Sequence, residues 1–221
     1  MIDLQNKIEI HNIDILDLGL KSYQESWNFQ KEMLKKRSNN EINDTLIFVE
    51  HEPVFTLGKN ANENHILQNY PENIKTFHVE RGGDVTYHGP GQLVCYFVID
   101  LNKRKKDIRN FLTLIEKTII QTLKKYKINS FSDRKNIGIW VNDKSKTKKI
   151  GAIGIKIKKW IAYHGFSLNI NNSLHEYKKI IPCGIKDKGI SNLKLIKNQN
   201  YMKIKDEIVL NFIKNLKKKV F

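Results

Sequence analysis

The chain has two cysteines in 221 residues, and their surroundings differ. Cys95 sits inside the apolar run Leu93-Val-Cys-Tyr-Phe-Val-Ile99, where a thiol packs as a small hydrophobe. Cys183 sits between Pro182 and Gly184, a setting that suits a turn and fits badly in a strand or a helix. Lys186 and Lys188 follow it, and nearby cations draw a thiol toward its nucleophilic thiolate. A loop thiolate of this kind could attack a carbonyl carbon. A loop cysteine without a chemical role fits the same residues, because the deciding environment is not written in the sequence.

A second concentration of special residues lies at 81–92, R-G-G-D-V-T-Y-H-G-P-G-Q, which holds four of the twelve glycines and one of the four prolines. Glycine belongs where the backbone needs positive φ or where something must approach closely, and H-G-P-G is turn chemistry. The apolar run 93–99 follows directly and predicts a buried strand. A functional loop on a core strand and a plain Gly-rich hairpin both fit this pattern. Seven histidines are scattered, with no His-Glu-x-x-His and no Cys-x-x-Cys, so no metal site is expected. Only His88 and His164 directly precede a glycine within the glycine-bearing stretches. Phosphate-loop, dinucleotide-fingerprint and nucleophile-elbow motifs are absent.

The elements that must hold these residues follow from periodicity. Ile8-Glu-Ile10 is a short strand. Leu16, Leu20, Tyr23, Trp27 and Leu34 fall at helical spacing and predict a helix from Leu16 to about Lys36. Strands are expected at 45–50, 54–58, 93–101 and 137–141. A strand pair around Gly82 and Gly83 is expected from 74–79 and 85–87, and a hairpin from 150–157 and 160–170. Residues 142–148 read as a charged turn and 172–180 as a short helical piece. Ile108, Phe111, Leu112, Ile115, Ile119, Leu123 and Tyr126 form one stripe after the N-cap Asp107, and a closing helix carries Ile204, Ile208, Phe212, Ile213 and Leu216. Neighbouring strands in pairs with helices between the groups predict an α+β fold with a mixed, mainly antiparallel sheet in a single domain over 1–221.

No run of 18 apolar residues and no signal-peptide pattern occurs, and two cysteines make no disulfide framework; a cytoplasmic protein is expected. The formal charge of +16 could attract nucleic acid, anionic lipid or an acidic protein. The lysines are spread throughout, and the densest runs lack the interleaved aromatics that single-strand binding uses. Composition bias, with an acidic protein partner gaining from it, is the reading adopted, and Lys144, Lys146, Lys148 and Lys186 are the candidates for such a surface.

Taken together and in order, H-E-P-V-F-T-L-G at 51–58, R-G-G-D-V-T-Y-H-G-P-G-Q, K-I-G-A-I-G at 149–154, H-G-F-S-L-N at 164–169 and P-C-G-I-K-D-K-G-I at 182–190 resemble the octanoyltransferase (lipoate-protein ligase B) family over residues 45–193. Asp84 stands where some members carry Gln, Ser191-Asn192 where many carry Thr-Ser, and Gly151 in place of a frequent Ala.

The resemblance implies a catalytic domain like that of biotin and lipoate ligases. It also implies transfer of octanoyl from acyl carrier protein to a lysine of lipoyl domains, those of 2-oxoacid dehydrogenases and of the glycine cleavage H protein. It implies that no ATP is spent; no cofactor, metal, nucleic-acid or membrane partner is expected, and a monomer is. The family's nucleophile matches Cys183, and the lysine that tunes it matches Lys149. Its substrate contacts match Arg81, Gly82, Gly83, Asp84, Val85, Thr86, Tyr87 and His88, then Ala152, Ile153 and Gly154, then Gly165, Phe166 and Ser167. The residues agree with such chemistry. Thioester to thioester is near neutral in energy and thioester to amide is downhill, so no nucleotide is needed. Backbone amides around Gly154, Gly165 and His88 are candidate oxyanion donors. Val85, Tyr87 and Phe166 are candidate walls for the acyl chain, and Tyr87 and Phe166 also fit as plain core aromatics. Lys149 adjoins the apolar strand start Ile150-Gly-Ala-Ile-Gly154, which predicts an inward side chain. An ATP-dependent lipoate or biotin ligase of the same fold, and more remotely a basic nucleic-acid-binding protein, are the alternatives.

Overall fold

The computed structural model describes residues 8–67, 73–182 and 188–218. In chain order the elements are β1 (Ile8–Ile10), β2 (Ile13–Lys21), α1 (Tyr23–Ser38), β3 (Asp44–His51), β4 (Val54–Leu57), β5 (Lys75–His78), β6 (Val85–His88), β7 (Gln92–Asp100), α2 (Ile108–Lys125), β8 (Ser130–Ser132), β9 (Ile139–Asp143), β10 (Lys146–Lys158), β11 (Ile161–Asn169), β12 (Gly189–Ile190), α3 (Leu193–Ile196) and α4 (Ile204–Lys218). Single-turn 3-10 segments lie at Glu63–His65 and Glu176–Lys179.

Among the described residues the strands form two sheets. The larger runs β1-β2-β3-β7-β11-β10-β9-β8, with β12 added in parallel to β10; the smaller runs β5-β4-β6. In the larger sheet only β2 with β3 and β10 with β12 are parallel, so the mixed, mainly antiparallel α+β architecture holds. Alternation along β7 divides the core. Leu93, Cys95, Phe97 and Ile99 pack with α2 and α4, while Val94, Tyr96 and Val98 pack with α1. No helix among the described residues is long and apolar enough to cross a membrane.

The hairpin of 150–157 and 160–170 forms as expected, closed by Lys159 and Trp160 at φ +49° and +62°, the paired left-handed geometry of a tight two-residue turn. Asp107 caps α2 as expected, accepting from Asn110 N at 3.0 Å.

Three expectations are corrected. The helix does not begin at Leu16. Leu16 and Leu18 alternate inward along β2, and the chain turns helical only at Tyr23. Ser22 sets that boundary, since it and Glu25 form a reciprocal capping box. Second, 74–79 and 85–87 do not pair with each other. β4 lies between them, parallel to β5 and antiparallel to β6. Third, most of 142–148 is strand: β9 runs to Asp143, β10 starts at Lys146, and only Lys144 and Ser145 turn.

Candidate active site

β6, β10 and β11 converge on a cavity of about 490 Å³. The 81–84 loop enters by crossing β10, with Gly82 N donating to Ile155 O at 3.1 Å. Its shape comes from Arg81 and Asp84. The Arg81 guanidinium donates to Thr56 O (2.7 Å), Thr56 Oγ1 (2.8 Å), Asp84 O (2.9 Å) and Gly82 O (3.0 Å). Asp84 accepts from Asn62 N at 3.2 Å and Val85 N at 2.6 Å, and its other oxygen meets His65 Nδ1. The backbone from 65 to 67 then ties to 179–181, with Ile181 N on His65 O at 2.7 Å and Leu67 N on Lys179 O at 3.0 Å. One hydrogen-bonded chain thus links the glycine loop to the residues just before Cys183.

Arg81, Gly82, Gly83, Asp84, Thr86, His88, Lys149, Ala152, Ile153, Gly154, Gly165, Phe166 and Ser167 all line the cavity. Two candidates do not. Val85 and Tyr87 take the opposite face of β6 and pack with Phe55, Leu57, Tyr177 and Ile180 in a separate cluster, because successive strand residues face opposite ways. They are core side chains and do not wall this cavity. Cys183 and Lys186 lie outside the described residues. Pro182, the residue before Cys183, lines a narrow recess together with Lys149, Thr86 and Ser167.

Lys149 is buried, at 4% exposure. Its ammonium lies over the Trp140 ring, 5.2 Å from the centroid. Its neighbour Lys148 points outward to Asp143 at 2.7 Å. Gly138, at φ +145°, gives the Lys149 side chain its room: a Cβ there would overlap Lys149 Cε and stand 2.7 Å from Gly151 O. Gly165 is needed for a different reason, since a Cβ would overlap the Cys95 carbonyl oxygen of the adjacent strand.

Buried polar groups line the cavity at Tyr23, His88, Tyr96 and His164 and continue behind it. His88 Nδ1–H donates to Gln92 Oε1 at 2.6 Å, while Gln92 Nε2 faces Asn169 Oδ1 at 2.8 Å and Tyr177 OH at 2.9 Å. His51 donates from Nδ1 to Lys21 O at 3.1 Å and accepts from Tyr96 OH at 2.6 Å. Burial lowers His51 to about 4 and His88 to about 3, the latter helped by the charge of His51. Burial and then Arg81 lower His164 to about 3. All three are neutral imidazoles at physiological pH. His164 also sits at φ +57° with a buried Nε2 that no group among the described residues hydrogen-bonds. Burial pushes the Tyr23 hydroxyl up to about 12. The cavity can therefore hold an acyl chain against backbone and neutral imidazole and phenol groups, with Arg81, Asp84 and the buried Lys149 among its charged lining.

Sequence reading missed Tyr23, Tyr96 and His164 as lining residues. His164 carried a signal, a histidine directly before a glycine. Tyr23 and Tyr96 carried none, because each reads as one more apolar position in its element.

The lipoyl protein ligase A/B catalytic domain profile matches residues 22–213. The fold is shared with a bi-partite lipoate protein ligase from Thermoplasma acidophilum (TM-score 0.70, 12% identity, covering 92% of this chain and 83% of that one). It is shared too with a biotin protein ligase from Aquifex aeolicus (TM-score 0.54, 13% identity, covering 95% and 70%). The octanoyltransferase of Dictyoglomus turgidum is 46% identical over 175 residues, 77% of this chain and 72% of that protein. The chain belongs to the octanoyltransferase family.

Proposed function

We propose that this chain, as one catalytic domain, transfers an octanoyl group from octanoyl-acyl carrier protein to a lysine of lipoyl domains, with Cys183 as the covalent carrier and Lys149 as the proton shuttle. The observation that carries this reading is a lysine buried on the cavity wall beside Pro182. In the first half-reaction the Cys183 thiolate attacks the thioester carbonyl carbon. The pantetheine thiolate leaves and takes a proton from the Lys149 ammonium. In the second, the acceptor lysine's neutral amine attacks the octanoyl-cysteine thioester. Its extra proton passes to Lys149, and the Cys183 thiolate leaves. The net change is one thioester and one amine converted to one amide and one thiol, with no nucleotide. The acyl chain lies against Ala152, Ile153, Gly154, Gly165 and Phe166, beneath the 81–84 loop. The protein works in the cytoplasm as a monomer, on an acidic donor protein that complements its charge of +16.

Incubation with octanoyl-carrier protein and a lipoyl domain, without ATP, should yield the octanoylated domain. A strict need for ATP would replace this reading by that of a ligase.

A further inference from the structure

Lys149 has a long flexible side chain, yet a proton shuttle must return to one place in both half-reactions. What holds it there is found on β9. Lys149 and Trp140 are cross-strand partners, and the register slips between Lys149 and Gly151, immediately after this pair. Trp140 is 1% exposed, and its indole is oriented by Nε1 donating to Asn136 O at 2.9 Å. The Lys149 ammonium lies over that ring at 5.2 Å, in the slot that Gly138 leaves open. A second ammonium shares the ring. Lys188 Nζ stands 4.7 Å from the same centroid and 2.8 Å from Asp133 Oδ2. Lys188 is the first described residue after Cys183. The chain beyond it joins β10 at once, through Lys148↔Gly189, Lys149↔Ile190 and Ser191 N donating to Lys149 O at 2.9 Å. One indole therefore meets both the strand that carries Lys149 and the chain leaving the 183–187 segment.

Resting on the function proposed above, we propose that Trp140 is a positioning residue: the negative face of its ring fixes the Lys149 ammonium on the cavity wall, where the proton shuttle must stand. In a buried site the ring replaces part of the ammonium's lost hydration, and cation–π attraction is strongest where water is excluded.

The test separates the ring's charge from its shape. In a chain carrying Trp27→Phe and Trp160→Phe, which removes two other rings that bear lysines, Trp140 is replaced biosynthetically by mono-, di- and tetrafluoro-tryptophan. Fluorine drains the face while nearly preserving shape. At saturating octanoyl-carrier protein, the rate of acyl-enzyme formation should fall stepwise, by about tenfold across the series, with KM and the unfolding midpoint unchanged. A flat series in an active chain overturns the proposal and leaves Trp140 as packing alone. An unfluorinated background that forms no acyl-enzyme, while wild type also forms none, overturns the function itself and this inference with it. In wild type, Trp140→Phe should retain more acylation rate than Trp140→Leu; equal losses count against the proposal.

Discussion

β7 and β10 belong to the same sheet, one strand apart, and have opposite characters. Every residue of β7 is buried. It is closed by α2 and α4 on one face and α1 on the other. β10 buries 149–151 and is otherwise half-buried or exposed, because one of its faces opens on the cavity. β7 carries Cys95, whose thiol burial pushes well above its ordinary range. β10 carries Lys149, an ammonium kept where an apolar side chain would pack more easily. Burial thus has two uses in this sheet. On the face of β7 covered by α2 and α4 it makes the Cys95 thiol inert, and around the cavity it holds polar groups ready.

The largest expected effect is on β10. Lys149→Arg keeps the charge but cannot release a proton, and the fork must enter the slot beside Gly138. Octanoyl transfer should fall by about 100-fold or more in a folded protein, as loss of general acid–base catalysis does. Near wild-type turnover would exclude Lys149 as the shuttle.

Gly165→Ala, on β11 between the two strands, should cost more than about 2 kcal/mol in urea unfolding, since the new Cβ meets backbone that cannot move aside. An unchanged midpoint would show that the strands can part there.

The cavity wall, with His51 behind it, should also be the acid-sensitive part. His51, His88 and His164 have folded values near 4, 3 and 3 against an ordinary 6.5, so between those limits the unfolded chain binds more protons than the folded one. Their contribution is complete above pH 6.5 and is lost as pH falls toward 3 to 4. Unfolding free energy should drop between pH 7 and pH 5 by on the order of 1–2 kcal/mol per histidine. His88→Gln should flatten the slope, and an equally steep profile in that variant would contradict the assignment.

Much of this contrast was legible in the residues. The run 93–99 announced β7 by unbroken apolarity, and the glycine-bearing stretches marked the cavity before any contact was known. Lys149 announced its inward direction by preceding an apolar strand start. The β2 boundary was legible too, in Ser22 and Glu25, but helical spacing across 16–34 masked the period-two alternation of Leu16 and Leu18. The opposite facing of Val85 and Tyr87 follows from strand alternation once Asp84 and Thr86 are set toward the cavity; the sequence does not say which set that is. Trp140 beneath Lys149 was not legible, since cross-strand register across β9 and β10 is a tertiary fact.

The smallest effect is expected on β7. Cys95→Ala should keep octanoyl transfer and lose about 1 kcal/mol of stability, because the thiol acts there only as packing. Loss of chemistry in that folded variant would reverse the roles of the two cysteines.

On the proposed mechanism the acyl group passes through Cys183. Intact-mass spectrometry after brief mixing with octanoyl-carrier protein, ATP absent, followed by peptide mapping, reads this directly. A single octanoyl adduct on the peptide containing Cys183, discharged by a lipoyl domain and missing in Cys183→Ser, is the predicted result. Transfer to the lipoyl domain at full rate by Cys183→Ser, or an adduct mapped to any other residue, would contradict it.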